Sequence, residues 1–150
     1  MDTERAGSAI VGGVAGTAVI SGILVMLEVQ MRDVLHLFDA VARFVGLPGQ
    51  TFLGFVIYSF AGAVVWPLIF LVLRPYLPRG PDPAAQGAVF ATALWVVFAI
   101  TGRGDLDGAI LIVYLVFTLL AHWAYGFTMG AVYGYLTGET PRARGDQTPG

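Results

Sequence analysis

Apolar and polar positions along this chain fall into long blocks rather than short alternations. Four blocks are apolar for the length of a membrane crossing: residues 6–27, 51–73, 84–101 and 108–136. A crossing helix needs about 20 consecutive apolar residues. The first two blocks carry no charged residue, the third is the shortest, and the fourth is the longest and contains His122. A run longer than the hydrocarbon layer tilts or emerges from it. Residues 31–46 have a different period. Val34, Leu37, Phe38, Val41, Ala42 and Val45 share one helical face, and Arg32, Asp33, His36, Asp39 and Arg43 share another. That is the pattern of an amphipathic helix. Placed between two crossings, it is expected to lie along the membrane surface. The alternative is a surface helix packed on the ends of the crossings. The pattern predicts an all-α membrane protein: a four-transmembrane-helix bundle, with an interfacial amphipathic helix between helices one and two. Residues 1–137 form its single domain, and residues 138–150 a polar, disordered tail.

Punctuation agrees with these blocks. Asp82 followed by Pro83 reads as an N-cap with proline at the first helical position. Arg74-Pro75 is expected to stop the second helix. The proline-rich stretch 75–83 and the glycine-rich stretch 101–108 are turns.

Composition narrows the classes further. The chain is 57% hydrophobic and 12% charged, against about 25% charged in soluble domains. A soluble chain of 150 residues has no core large enough for so much apolar surface, so the lipid bilayer is the expected surrounding. A net charge of −2 gives no basic field for nucleic acid. Cysteine is absent, which excludes disulfides, thiolate catalysis and cysteine-held metal centres. The first five residues carry two acids and one Arg, unlike the basic start of a cleaved signal. With both termini inside, Arg5, Arg74, Arg79, Arg142 and Arg144 face the cytoplasm, and Arg32, Arg43 and Arg103 face out. The excess favours a multi-pass protein of the cell membrane with cytoplasmic termini.

Candidate chemistry is sparse. On helix four, His122, Gly126, Gly130, Gly134 and Gly138 recur at every fourth position. Such a stripe lets another helix approach closely, within the chain or outside it. Ala9, Gly12, Gly13, Gly16 and Thr17 give helix one a second small face, expected to pack on helix four. An ionisable residue inside a crossing needs a polar partner, and His122 has three readings. It is a neutral ring bound to a neighbouring helix, a metal or haem ligand, or a proton or substrate relay. Glu28 closes the first crossing and either snorkels to the interface, pairing with Arg32 four positions on, or sits in a proton path. Trp66-Pro67 lies inside the second crossing, where proline bends a helix or makes a hinge. Tyr58 is a candidate intramembrane polar group. Tyr114, Tyr125 and Tyr133 read as interfacial or packing aromatics. A faint internal repeat relates Val14–Val19 to Val89–Leu94, and Tyr58-xxx-Gly62 to His122-xxx-Gly126. No phosphate loop, nucleophile elbow or metalloprotease helix is present.

The segments GGVAGTAV, AGAVVWPLIF, VFATALWVVFA and LVFTLLAHWAYGFTMGAVYGYL together resemble a family of small four-helix membrane proteins from halophilic archaea. The resemblance covers residues 8 to 137, and its most specific piece is His122–Gly126 with the glycines that follow. It implies no established activity. Some members are associated with terminal-oxidase gene clusters, and relatives carry a second-helix histidine where Tyr58 stands here. The leading expectation is a non-catalytic accessory or assembly subunit of a larger membrane complex, a respiratory one being the candidate the resemblance suggests, docking through the helix-four glycines or the surface helix. A small homodimeric transporter or channel with His122 in its path comes second. A haem-binding electron carrier comes third. Otherwise no cofactor or metal is expected, and the partners are lipid and either a membrane complex or a second copy.

Overall fold

A computed structural model describes residues 2–30, 37–78, 80, 82–104 and 106–139. All regular structure among them is helical. The elements are α1 (Thr3–Gln30), α2 (Leu37–Phe44), α3 (Thr51–Phe60), a π-helical stretch (Ala61–Val65), α4 (Trp66–Leu73), a 3-10 turn (Arg74–Tyr76), α5 (Pro83–Gly102) and α6 (Gly108–Thr137). Four stretches, Thr3–Leu27, Thr51–Tyr76, Pro83–Gly102 and Gly108–Thr137, are long and apolar enough to cross a membrane. The second is not one regular helix: α3, the π-helical stretch and α4 run on end to end.

Local chemistry sets the ends. Asp82 is extended and its carboxylate accepts the Ala84 N–H at 3.1 Å, with Pro83 at the first turn of α5. One otherwise orphaned donor is thereby satisfied. At the other boundary the α-helix ends at Leu73, and Pro75 sits in a single tighter turn. α6 stops at Gly138, which takes the left-handed conformation at φ 70°. The Glu139 N–H then reaches back to the Gly134 carbonyl at 2.9 Å, the closing bond of a glycine C-cap.

α6 lies between α5 and α1; α1 also packs on the π-helical stretch and α4, and α2 packs on α3 and touches α5. Small residues set the spacing. A Cβ on Gly126 would lie 2.5 Å from the Ala91 Cβ and would meet the Gly87 backbone, and one on Gly130 would lie 2.9 Å from the Ala84 Cα. The glycine stripe of α6 therefore faces α5, with Gly87 supplying the matching gap. Helices one and four do pack together, but through the other small face. Gly12 lies against the Met129 backbone and Gly16 against Tyr125, while Gly13 takes Pro67, Ala63 and Gly62. Gly134 is buried as well. Both glycine faces are filled by the chain's own helices, so the glycines that sequence offered for docking a partner are not a free surface.

Of the segment 31–46, α2 falls within the described residues, whereas residues 31–36 lie outside them. Phe38 and Ala42 of α2 are buried, and Gly54 of α3 lies against the Phe38 carbonyl. Asp39 fixes the corner that follows. One carboxylate oxygen accepts the Gly49 N–H at 2.7 Å, and the other pairs with Arg43 at 2.7 Å. This corner presents Phe44 and Phe52, 70% and 80% exposed.

Candidate functional site

The interruption in the second crossing lies immediately before Trp66-Pro67. In a π-helical register each carbonyl bonds the N–H five residues ahead, and the Trp66 N–H duly reaches the Ala61 carbonyl. The next carbonyl, Gly62, would take its hydrogen from residue 67. Proline has none to give. The orphaned oxygen is instead met from across the interior, where the Tyr125 hydroxyl of α6 donates to it at 2.8 Å. Both Gly62 and Tyr125 are buried. The bend expected at Trp66-Pro67 is thus a π-helical stretch just upstream of the proline, and Pro67 itself is fully buried against Gly13.

Around this bond lies a group of neutral hydroxyls. Thr17 of α1 is 8% exposed, and its Oγ1 sits 2.5 Å from where a Gly62 side chain would begin. Tyr58, one turn before the interruption, packs its ring on Phe38 at 5.6 Å between centroids. Among the described residues neither the Thr17 Oγ1 nor the Tyr58 hydroxyl has a hydrogen-bond partner of good geometry, although both atoms are buried. The Ser21 side chain lies at the Tyr58 hydroxyl as a potential hydrogen-bond partner and Tyr125 lies near enough to act on it electrostatically, but neither contact meets full hydrogen-bond geometry. Buried hydroxyls are almost always satisfied, so two unsatisfied ones beside an interrupted helix call for a reason.

His122 lies one turn before Tyr125 on α6, with its ring against α5. Its Nδ1 stands 2.7 Å from the Thr118 carbonyl one turn earlier, and its ring lies 5.3 Å from Phe98 of α5. A carbonyl oxygen only accepts, so Nδ1 carries a proton, and whenever the ring is neutral its free electron pair is on Nε2. The surrounding α5–α6 contacts are hydrogen-bonded. Trp95 donates to Thr118 at 3.2 Å, Tyr114 to the Phe98 carbonyl at 3.3 Å, and Trp123 to Thr92 at 2.9 Å. Among the described residues no group of three or more His, Asp or Glu is placed to hold a metal.

The remaining sequence candidates separate. Glu28 falls in the last turns of α1, but its side chain, like His36 and Arg32, lies outside the described residues. Residues 140–150 of the expected tail do too. Tyr58, Gly13, Gly16 and Pro67 converge on the interruption. Trp66 is 36% exposed beside it. Sequence reading left Tyr125 and Thr17 among the packing residues, and the signal for them was indirect: a proline in a crossing implies a freed carbonyl, and a nearby hydroxyl is its usual partner.

At the far end of the second crossing a different cluster forms. Arg74 pairs with Glu139 at 2.5 Å, donates to Gln86 of α5 at 2.7 Å, and lies over the Tyr133 ring at 5.0 Å. The guanidinium holds the Glu139 carboxyl below the usual carboxylate range, against partial burial that pushes it up.

Four candidate crossings place the chain among multi-pass membrane proteins. It belongs to a family of unknown function, DUF6789, whose model matches residues 3–144. Neither the curated proteins nor the solved structures contain a match to this chain.

Proposed function

We propose that the chain is a four-helix membrane bundle that carries or conducts a small solute, or protons, through the hydroxyl group around Gly62, without covalent catalysis. The observation behind this reading is the interrupted second crossing, with its donated Tyr125 bond and the two unsatisfied hydroxyls of Thr17 and Tyr58. Interrupted helices near the bilayer middle, with backbone carbonyls turned inward, are where transporters bind what they move. Polar groups inside a crossing are costly to keep and point to use. In this reading the termini are cytoplasmic, α2 lies in the membrane interface with Phe44 and Phe52 as its anchors, and the protein works as a homodimer. His122 stands beside the path, with Nε2 as a proton acceptor. Reconstitution into vesicles tests it. Permeation of protons and small neutral solutes should exceed that of protein-free vesicles and fall severalfold in Tyr58→Phe and Thr17→Val. Equal permeation with and without protein ends the reading.

A second reading, an accessory subunit of a larger membrane complex such as a terminal oxidase, is favoured by the Asp39-fixed corner. Its exposed Phe44 and Phe52 offer a rigid apolar contact that the filled glycine faces do not. Purification from native membranes separates the two. Stoichiometric recovery with a larger complex, lost in Phe44→Ser/Phe52→Ser, supports the subunit; recovery alone supports the carrier.

A further inference from the structure

Donors and acceptors around the interrupted helix can be counted. Tyr125 spends its proton on the Gly62 carbonyl, so its oxygen retains only accepting capacity. The Thr17 and Tyr58 hydroxyls each have one proton to give and two electron pairs to receive with, and neither is engaged among the described residues. The Tyr58 hydroxyl has the Ser21 side chain and Tyr125 as its neighbours, all neutral. An ion here would lose its hydration with no counter-charge among the described residues to replace it. A neutral molecule that only donates, or only accepts, would leave one kind of group unmet.

We infer that the polar groups of Thr17, Tyr58 and Tyr125 around Gly62 bind one small neutral molecule that both donates and accepts hydrogen bonds, of which water is the member always present. Buried water takes two to four polar partners, and this group offers that number. Gly62 contributes by having no side chain. A Cβ there would lie 2.5 Å from the Thr17 Oγ1, so only a glycine lets the hydroxyl stand this close to the interrupted backbone. The inference names what occupies the proposed path, and rests on the carrier reading only for the use made of the site.

The test is water-edited solid-state NMR on the full chain in lipid bilayers with labelled tyrosine rings, the Tyr58 signal being assigned from Tyr58→Phe. Magnetisation should pass from water to the Tyr58 and Tyr125 rings severalfold faster than to Tyr114, whose hydroxyl already has the Phe98 carbonyl as partner. Thr17→Val should slow the transfer to Tyr58 severalfold, whereas Thr17→Ser should keep it, which separates loss of the hydroxyl from loss of the fold. Transfer to Tyr58 no faster than to Tyr114 overturns the inference, with or without vesicle permeation. A hydrated site in a protein that permeates nothing upholds it and ends the carrier reading instead.

Discussion

The Tyr125 hydroxyl stands 2.8 Å from the Gly62 carbonyl, a bond that ties the longest helix to the interrupted one across 63 positions of sequence. Removing the hydroxyl leaves a buried backbone acceptor unmet, which costs about 1–3 kcal/mol. Helix–helix hydrogen bonds in bilayers average nearer to about 0.6 kcal/mol, because the unfolded chain finds partners in lipid too. Tyr125→Phe should therefore lower stability by about 1 kcal/mol in a denaturant titration in mixed micelles. No loss would mean that Gly62 has another donor.

The small faces make a sharper contrast. Gly130→Leu would drive a side chain into the Pro83–Ala84 backbone of α5, where no rotamer relieves the clash. Overpacking costs about 1–3 kcal/mol even where neighbours can move, so this variant should elute as aggregate or lose its thermal transition. Gly22 lies on the same helix as Gly12 and Gly16, yet a Cβ there meets nothing within 4 Å. Gly22→Ala should stabilise the protein by about 0.5–1 kcal/mol through helix propensity alone. A Gly22→Ala loss as large as that of Gly130→Leu would show that α1 packs elsewhere.

Much of this was legible in sequence because the relevant physics is local. The ends of α5 and α4 follow from Asp82-Pro83 and Arg74-Pro75, whose effects reach one turn. Crossing lengths follow from hydropathy. Which helix fills which glycine face does not, since Gly126 and Gly12 have the same local pattern and differ only in what stands opposite. The interruption was half legible. Pro67 announces a missing donor, but whether the helix kinks or changes register depends on Gly13 and Tyr125, and these are distant in sequence.

Acid should loosen the end of α6. The folded Glu139 carboxyl is held below its ordinary range, chiefly by the Arg74 hydrogen bond, with Arg5 adding a smaller pull. A depressed carboxylate contributes its stability above its unfolded value, about 4.3, and loses it as pH falls through the lower folded value. Stability should thus decline on acidification through this window, and Glu139→Gln should flatten that part of the profile. With its side chain 30% exposed, the pair is solvent-screened and its effect small. An unchanged profile in the variant would assign the acid response to other carboxylates.

The interrupted helix offers the most direct test of cause. If Pro67 orphans the Gly62 carbonyl, returning an N–H at position 67 should supply the hydrogen that Tyr125 now provides. Pro67→Ala leaves the contact with Gly13 smaller, and alone it loses buried volume while gaining a backbone bond. Its own sign decides nothing, but its coupling does. In the wild-type background Tyr125→Phe leaves an acceptor unmet; in the Pro67→Ala background it should cost little, giving an interaction energy close to the whole wild-type loss, about 1 kcal/mol, within the range for residues that share a partner. Additive losses would mean that the two residues act independently, and that the π-helical register is set by packing against α1 rather than by the proline.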